Sequence, residues 1–290
     1  MRKRRFYAAK VNVHENIFSQ NVNEIIEFHI PRVILESKPV KINTWNWMFT
    51  DVKKVLHKDR TFIIGNVTKS KITKQKVRIK NVTKEIETDY ELAHTAFFVY
   101  DPAGEILAHE STSAISDVDF RELFTKLLSR DVYVGEVKVM PIPEPYRIRE
   151  EILTFDKLTR LHFHLIHPNY GREEFNLYQE IINENGLKEL DVKMINKDGF
   201  SVNNEGFSKS IENAISLVES GYGDMEVTGY NEVIVEGKRK KKLRKKTRKF
   251  SSRKAVRSIQ VDEKDENQLI TRIINFILDV KNKVKKDEGI

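Results

Sequence analysis

Three sets of residues in this 290-residue chain have types and spacings suited to chemistry. The first is Asp131, Glu136 and Lys138, which spell D-x4-E-V-K on a run, Val132 to Met140, whose alternating valines predict a strand. Metal-dependent nucleases use carboxylates to hold Mg²⁺ and a nearby lysine to orient the attacking water. Glu136 and Lys138 stand two apart and would share a strand face, as that chemistry requires. The pattern is nonetheless cheap: Asp51-Val52-Lys53, Asp191-Val192-Lys193 and Asp279-Val280-Lys281 also match acid-x-Lys. An exposed row of ion pairs is the simpler expectation, with no catalytic residue and no cofactor.

The second set is His162, His164 and His167. His162 and His164 alternate with Leu161, Phe163 and Leu165, so they share one face of a strand and make a pair of candidate metal ligands. His167 has the opposite parity. A polar strand surface without metal is the simpler reading.

The third set is the densest. Between 237 and 261 stand thirteen basic residues and no Asp or Glu. Lys238, Arg239, Lys240, Lys241, Lys242, Arg244, Lys245, Lys246, Arg248, Lys249, Arg253 and Lys254 are the candidate phosphate contacts. The whole chain carries a formal charge of +8, yet outside this segment acidic residues outnumber basic ones by five. A block of like charge repels itself and reads as a flexible loop or arm. Such arms meet polyanions, because each neutralised phosphate releases condensed counterions. Leu243 and Phe250 are its large apolar residues, too few for an amphipathic membrane face.

Other site types are missing from the sequence: it has no Walker A loop, no G-x-G-x-x-G and no G-x-S-x-G. The absence of cysteine excludes disulfides, thiolate metal cages and a cysteine nucleophile, and fits a cytoplasmic protein. No apolar run has the length of a membrane span, and no apolar stretch follows Arg2 to Arg5 as in a secretory signal.

The elements that would position these residues alternate between strand and helix. Val22 to Leu35 is apolar, and Pro31 favours a helix ending near His29. Trp45, Trp47 and Phe49 suggest a strand with a buried aromatic face. Leu92 to Tyr100 and Glu105 to His109 flank Asp101-Pro102-Ala103-Gly104 as a hairpin. Ser116 and Asp119 form a capping box for a helix with Phe120, Leu123, Phe124, Leu127 and Leu128 on one stripe. Pro141, Pro143 and Pro145 mark a boundary, giving a mixed α/β domain over 1–145 and a second α/β domain over 146–290. The second reads β-α-β-α-β-β-α, which implies crossover units and a partly parallel sheet. Its last two strands, Met225 to Val235 and Ala255 to Val261, would flank the basic segment as a hairpin or loop insertion. The fold class is α/β (α+β) in two mixed-sheet halves.

LHFHLIHPN, VESGYGDMEVTGYN and FFVYDPAGEILAHE together resemble an uncharacterised bacterial family, domain of unknown function 4747, over residues 5 to 235. The basic run departs from that resemblance. The resemblance implies no activity and no catalytic residue; it implies a bacterial cytosolic protein of a kind found in phage-defence loci.

The expectation is a non-enzymatic nucleic-acid-binding protein, a sensor or adaptor in phage defence, contacting DNA or RNA and having a protein partner in that system. The alternatives are a Mg²⁺-dependent nuclease using Asp131, Glu136 and Lys138, and an interaction module docking an acidic protein through the basic loop. No membrane partner is expected, and the sequence sets no oligomeric state.

Overall fold

The computed structural model describes residues 3–19, 21–169, 177–200, 207–236, 241–263 and 265–286. Its chain groups into two compact units that interleave along the sequence. Unit 1 holds Met1–Phe6, Glu15–Val137 and Gln260–Asn275, and unit 2 holds Tyr7–His14, Lys138–Ile259 and Phe276–Ile290. The fold class is mixed α+β.

In unit 1, strand β1 (Arg4–Val13) contributes its first three residues. A helical stretch follows as α1 (Val22–Glu24), a π-turn (Ile25–His29) and α2 (Ile30–Leu35). The expected stop at His29 does not occur. Pro31 sits in the first turn of α2, and the preceding turn widens so that the Ile30 N–H bonds Ile25 O, five residues back. A turn already spaced i to i−5 absorbs the proline ring and its missing donor without ending the helix.

Strands β2 (Val40–Ile42), β3 (Trp45–His57), β4 (Arg60–Lys71), β7 (Leu92–Asp101) and β8 (Ile106–Ser111) form an antiparallel sheet in the order β8-β7-β4-β3-β2. Between them, β5 (Lys74–Ile79) and β6 (Val82–Glu87) make a separate ribbon. The β7–β8 turn is one 3₁₀ turn over Pro102–Gly104, as its Pro and Gly predict. Helix α3 (Asp117–Leu128) starts on a complete capping box, with Ser116 Oγ accepting from the Asp119 N–H at 3.2 Å. Its Phe124 packs edge-on to Phe49 at 5.2 Å and Phe98 at 5.5 Å, and Trp47 and Phe49 are buried as their spacing predicts. Burying each such ring stabilises the fold by roughly 2–3 kcal/mol.

Unit 2 takes the rest of β1, which pairs with β9 (Val137–Pro141). Val132 and Val134 are not part of that strand: residues 132–134 form a turn, and Gly135 has φ +68°. The prolines that follow are built into structure. Ile142 donates to Ala8 O at 3.0 Å, and Pro143 bridges Val256. After α4 (Arg147–Leu153) come β10 (Lys157–Ile166), α5 (Leu177–Glu184), β11 (Glu189–Phe200), α6 (Lys209–Glu219), β12 (Gly223–Glu236) and β13 (Lys241–Ser251). The last elements are β14 (Ser258–Val261) and α7 (Glu266–Lys286).

The four strands run in the order β11-β10-β12-β13, and every pair is antiparallel. The expected partly parallel sheet is therefore corrected. A parallel crossover needs a helix that carries the chain back along the whole strand. Here Ile166 at the end of β10 pairs with Glu189 at the start of β11, so the chain re-enters from the end at which it left and the pair is antiparallel.

The second correction concerns the basic segment. It is not a loop between Met225–Val235 and Ala255–Val261. Its residues Lys241 to Ser251 are themselves strand β13, hydrogen-bonded in register to β12 from Glu226↔Ser251 to Glu236↔Lys241, and Ser252 to Lys254 form a 3₁₀ turn after it. Among the described residues, no helix is long and apolar enough to cross a membrane.

Candidate nucleic-acid interface

Alternation along β10 gives the four-stranded sheet two unlike faces. Leu161, Phe163 and Leu165 are fully buried in a core with Ile182, Ile215, Val218, Met225 and Val227, and Phe250 of β13 joins it. Arg160, His162 and His164 point the other way. Cross-strand register extends that open face into rows. Lys193, His162, Glu226 and Ser251 make one row, and Ile195, Arg160, Thr228 and Lys249 make the next.

An open groove of ≈ 420 Å³ lies on these rows, lined by Arg160, His162, Lys193, Lys249 and Lys254 with one carboxylate, Glu226. Thr228 and Ser251 add hydroxyls to the same groove. Beyond Tyr230 the sheet narrows. β10 ends its pairing with β12 at Lys157↔Tyr230, while β12 and β13 continue as a two-stranded ribbon to Glu236↔Lys241.

The twelve basic residues singled out from sequence divide by their surroundings. Lys238, Arg239 and Lys240 lie outside the described residues, and Lys241 and Lys242 open β13. Arg248 is taken up internally: its guanidinium lies 4.9 Å from the Phe155 ring and donates to Thr154 Oγ1 at 2.9 Å and Glu151 Oε2 at 3.4 Å. Arg253 is held by Asp224 at 2.7 Å. Lys245 has Glu232 as its cross-strand neighbour and sits 4.3 Å from the Tyr230 ring. Arg244, Lys246 and Lys249 stand opposite Val233, Asn231 and Thr228, none of which carries charge. These three and Lys254 are exposed and form no ion pair among the described residues. Arg160 and Lys193, which composition does not single out, are brought by register to the open face with Lys249 and are equally unpaired there, whereas Arg244 and Lys246, in the parity of Phe250, lie on the other face of the ribbon.

This chain matches the family model described as Domain of unknown function (DUF4747) over residues 2–278. It belongs to that family. A search of curated proteins found no match. The matched span includes β13.

The two histidines share the open face as expected, and one carboxylate ties them together. His162 Nε2 is 3.1 Å and His164 Nδ1 3.3 Å from Asp191 Oδ1, and His164 Nε2 is 3.4 Å from Glu189 Oε2. Partial desolvation raises the Asp191 pKa, but hydrogen bonds from both imidazoles outweigh it and hold the carboxyl below its ordinary value. No group of three His, Asp or Glu among the described residues is arranged to hold a metal ion. His167 instead faces His14, ring centres 6.3 Å apart.

The D-x4-E-V-K residues separate. Asp131 pairs with Arg32 at 2.7 Å and caps the turn after α3 through the Tyr133 and Val134 N–H groups. Glu136 precedes β9, so it shares no strand face with Lys138. Lys138 binds Glu189 at 2.7 Å, beside the histidines. Asp131 and Glu136 belong to unit 1 and Lys138 to unit 2.

Proposed function

We propose that this protein binds nucleic acid through the open face of the β11-β10-β12-β13 sheet and the ribbon that extends from it, and that its ligand is duplex DNA. The observation that carries this reading is the register of β13. Lys249 projects from β13 on the open face opposite uncharged Thr228, with Lys254, Arg160 and Lys193 lining the same groove, and Arg244 and Lys246, of opposite parity, project from the other face of the ribbon opposite Val233 and Asn231. Fixed cations without internal counter-charges suit phosphate oxygens, whose counterions are released on contact.

Two features support a duplex. Tyr230 and Phe250, the aromatic residues of this hairpin, are both only 8% exposed, so they provide no platform on which unpaired bases stack. A two-stranded ribbon fits the B-form major groove, about 12 Å wide, but not the deep, narrow one of A-form RNA. The reading does not include catalysis.

The test is fluorescence anisotropy on a 20-base-pair duplex as DNA and as RNA, with polyglutamate as a protein-like polyanion. Salt-sensitive DNA binding, weaker on the RNA duplex, is expected. Binding to polyglutamate as tight as to DNA at equal charge would instead favour an acidic protein partner.

A further inference from the structure

Unit 1 carries an exposed aromatic patch that the proposed DNA face does not use. Phe28 is 59% exposed, Phe18 56% and Tyr133 43%, and Ile17 and Val132 beside them are 87% and 53% exposed. The aromatic rings are linked through the buried His29. Phe18 meets Tyr133 at 6.3 Å, Tyr133 stacks on His29 at 5.2 Å, and His29 meets Phe28 at 5.3 Å. Arg32 lies 5.5 Å from the Tyr133 ring, and Asp131 holds it at 2.7 Å.

The patch is built. The π-turn Ile25–His29 turns Ile25, Ile26 and His29 inward while leaving Phe28 outside. π-turns inside helices concentrate at functional sites. Asn16 fixes the opposite wall: its side chain donates to Tyr133 O at 3.3 Å and accepts from the Phe18 N–H at 2.9 Å. Exposed apolar surface of this composition, aromatic rings around an arginine, is what the centres of protein interfaces contain.

The rim indicates what covers it. Glu15, Glu24 and Glu27 are exposed around the rings, with the Glu24 carboxylate 3.6 Å from His29. Arg130, exposed beside Asp131, offsets part of that charge, and Arg32 is already neutralised. The local field is negative on a chain whose formal charge is +8.

We propose that this patch docks a protein segment with an apolar face flanked by lysine or arginine, an amphipathic basic helix being the simplest form. Its large side chains would fill the surface between Phe18, Phe28 and Tyr133, and its cations would meet Glu24 and Glu27. A basic ligand is the opposite of what the chain's net charge attracts, so the charge of the segment identifies this site over the basic face.

The test uses a display library of random 16-residue peptides selected on the full chain, with counter-selection on a Phe28→Ser, Tyr133→Ser variant. Enriched peptides should be net basic, with large apolar residues at helical spacing. Truncating the two aromatic anchors should weaken a selected peptide at least tenfold, and Glu24→Gln with Glu27→Gln should weaken it severalfold and flatten its salt dependence. Ile17→Ser, in a turn rather than the helix, gives a second variant that leaves α1 and α2 intact. The proposal is overturned by no enrichment, by enrichment of acidic peptides, or by peptides that bind the variants unchanged. It is also overturned if sedimentation shows a dimer that the same substitutions dissociate, for the patch would then join two copies of this chain.

Discussion

Replacing Lys246, Lys249 and Lys254 together with glutamine tests the proposed DNA face most directly. All three are exposed, and none is ion-paired among the described residues, so their removal leaves no stranded carboxylate. With Arg244, Arg160 and Lys193 they make six cations without an ion pair among the described residues of the proposed interface, Arg244 and Lys246 on one face of the ribbon and the other four around the open-face groove. Six neutralised phosphates give a log-affinity against log-salt slope near −5, and three give about −3. Raising salt from about 50 to 200 mM should then weaken the wild-type chain about a thousandfold and the triple variant about fortyfold. The control removes charge elsewhere on the same hairpin. Arg248→Gln with Arg253→Gln deletes guanidiniums already bound to Glu151 and Asp224. That pair should leave the slope near −5. It should also lower the unfolding free energy by about 1–3 kcal/mol, because the Asp224 carboxylate, 8% exposed, loses its partner. Anisotropy titrations at four salt concentrations and urea melts separate the two outcomes. If the arginine pair flattens the slope as much as the lysine triple, net charge alone attracts DNA and the geometry of β13 carries no site.

Two further predictions concern the scaffold. Gly223 has φ +149°, and a Cβ there would lie 2.2 Å from His164 O, so Gly223→Ala should cost about 3 kcal/mol and shift the urea midpoint accordingly. Burial pushes the His109 imidazole below its ordinary 6.5, although the hydrogen bond to Asp117 pulls the other way, so the folded state stays neutral where the unfolded chain takes up a proton. Stability should fall as pH drops below about 6.5, by up to about 1.4 kcal/mol per pH unit. His109→Gln should remove that slope in urea melts between pH 7 and pH 5, within which Asp117, held well below the usual carboxylate range, stays ionised.

Local patterns in the chain specify local structure, and where they are strong the elements form as read. The Phe120, Leu123, Phe124, Leu127 stripe behind Ser116 is α3 with its cap, because a 3.6-residue period and an N-cap need no distant partner. Leu161, Phe163 and Leu165 face a core and His162 and His164 do not, since side chains alternate on any strand. The family match is likewise a property of sequence.

Partners far along the chain decide the rest. Nothing in KKLRKKTRKFS alternates as a strand buried on one face does, yet the segment is extended because β12 supplies its ladder and Phe250 enters the core. Pro31 sits within a helix because the widened turn before it removes the conflict. Whether a given arginine is structural or available was equally invisible: Arg253 and Lys254 are neighbours in sequence, but Asp224, twenty-nine residues earlier, reaches Arg253. Charge along the sequence states how many cations exist. Only the tertiary structure, which brings Glu151 to Arg248 and Asp224 to Arg253 and sets neutral residues across from Arg244, Lys246 and Lys249, determines which of them remain for a ligand.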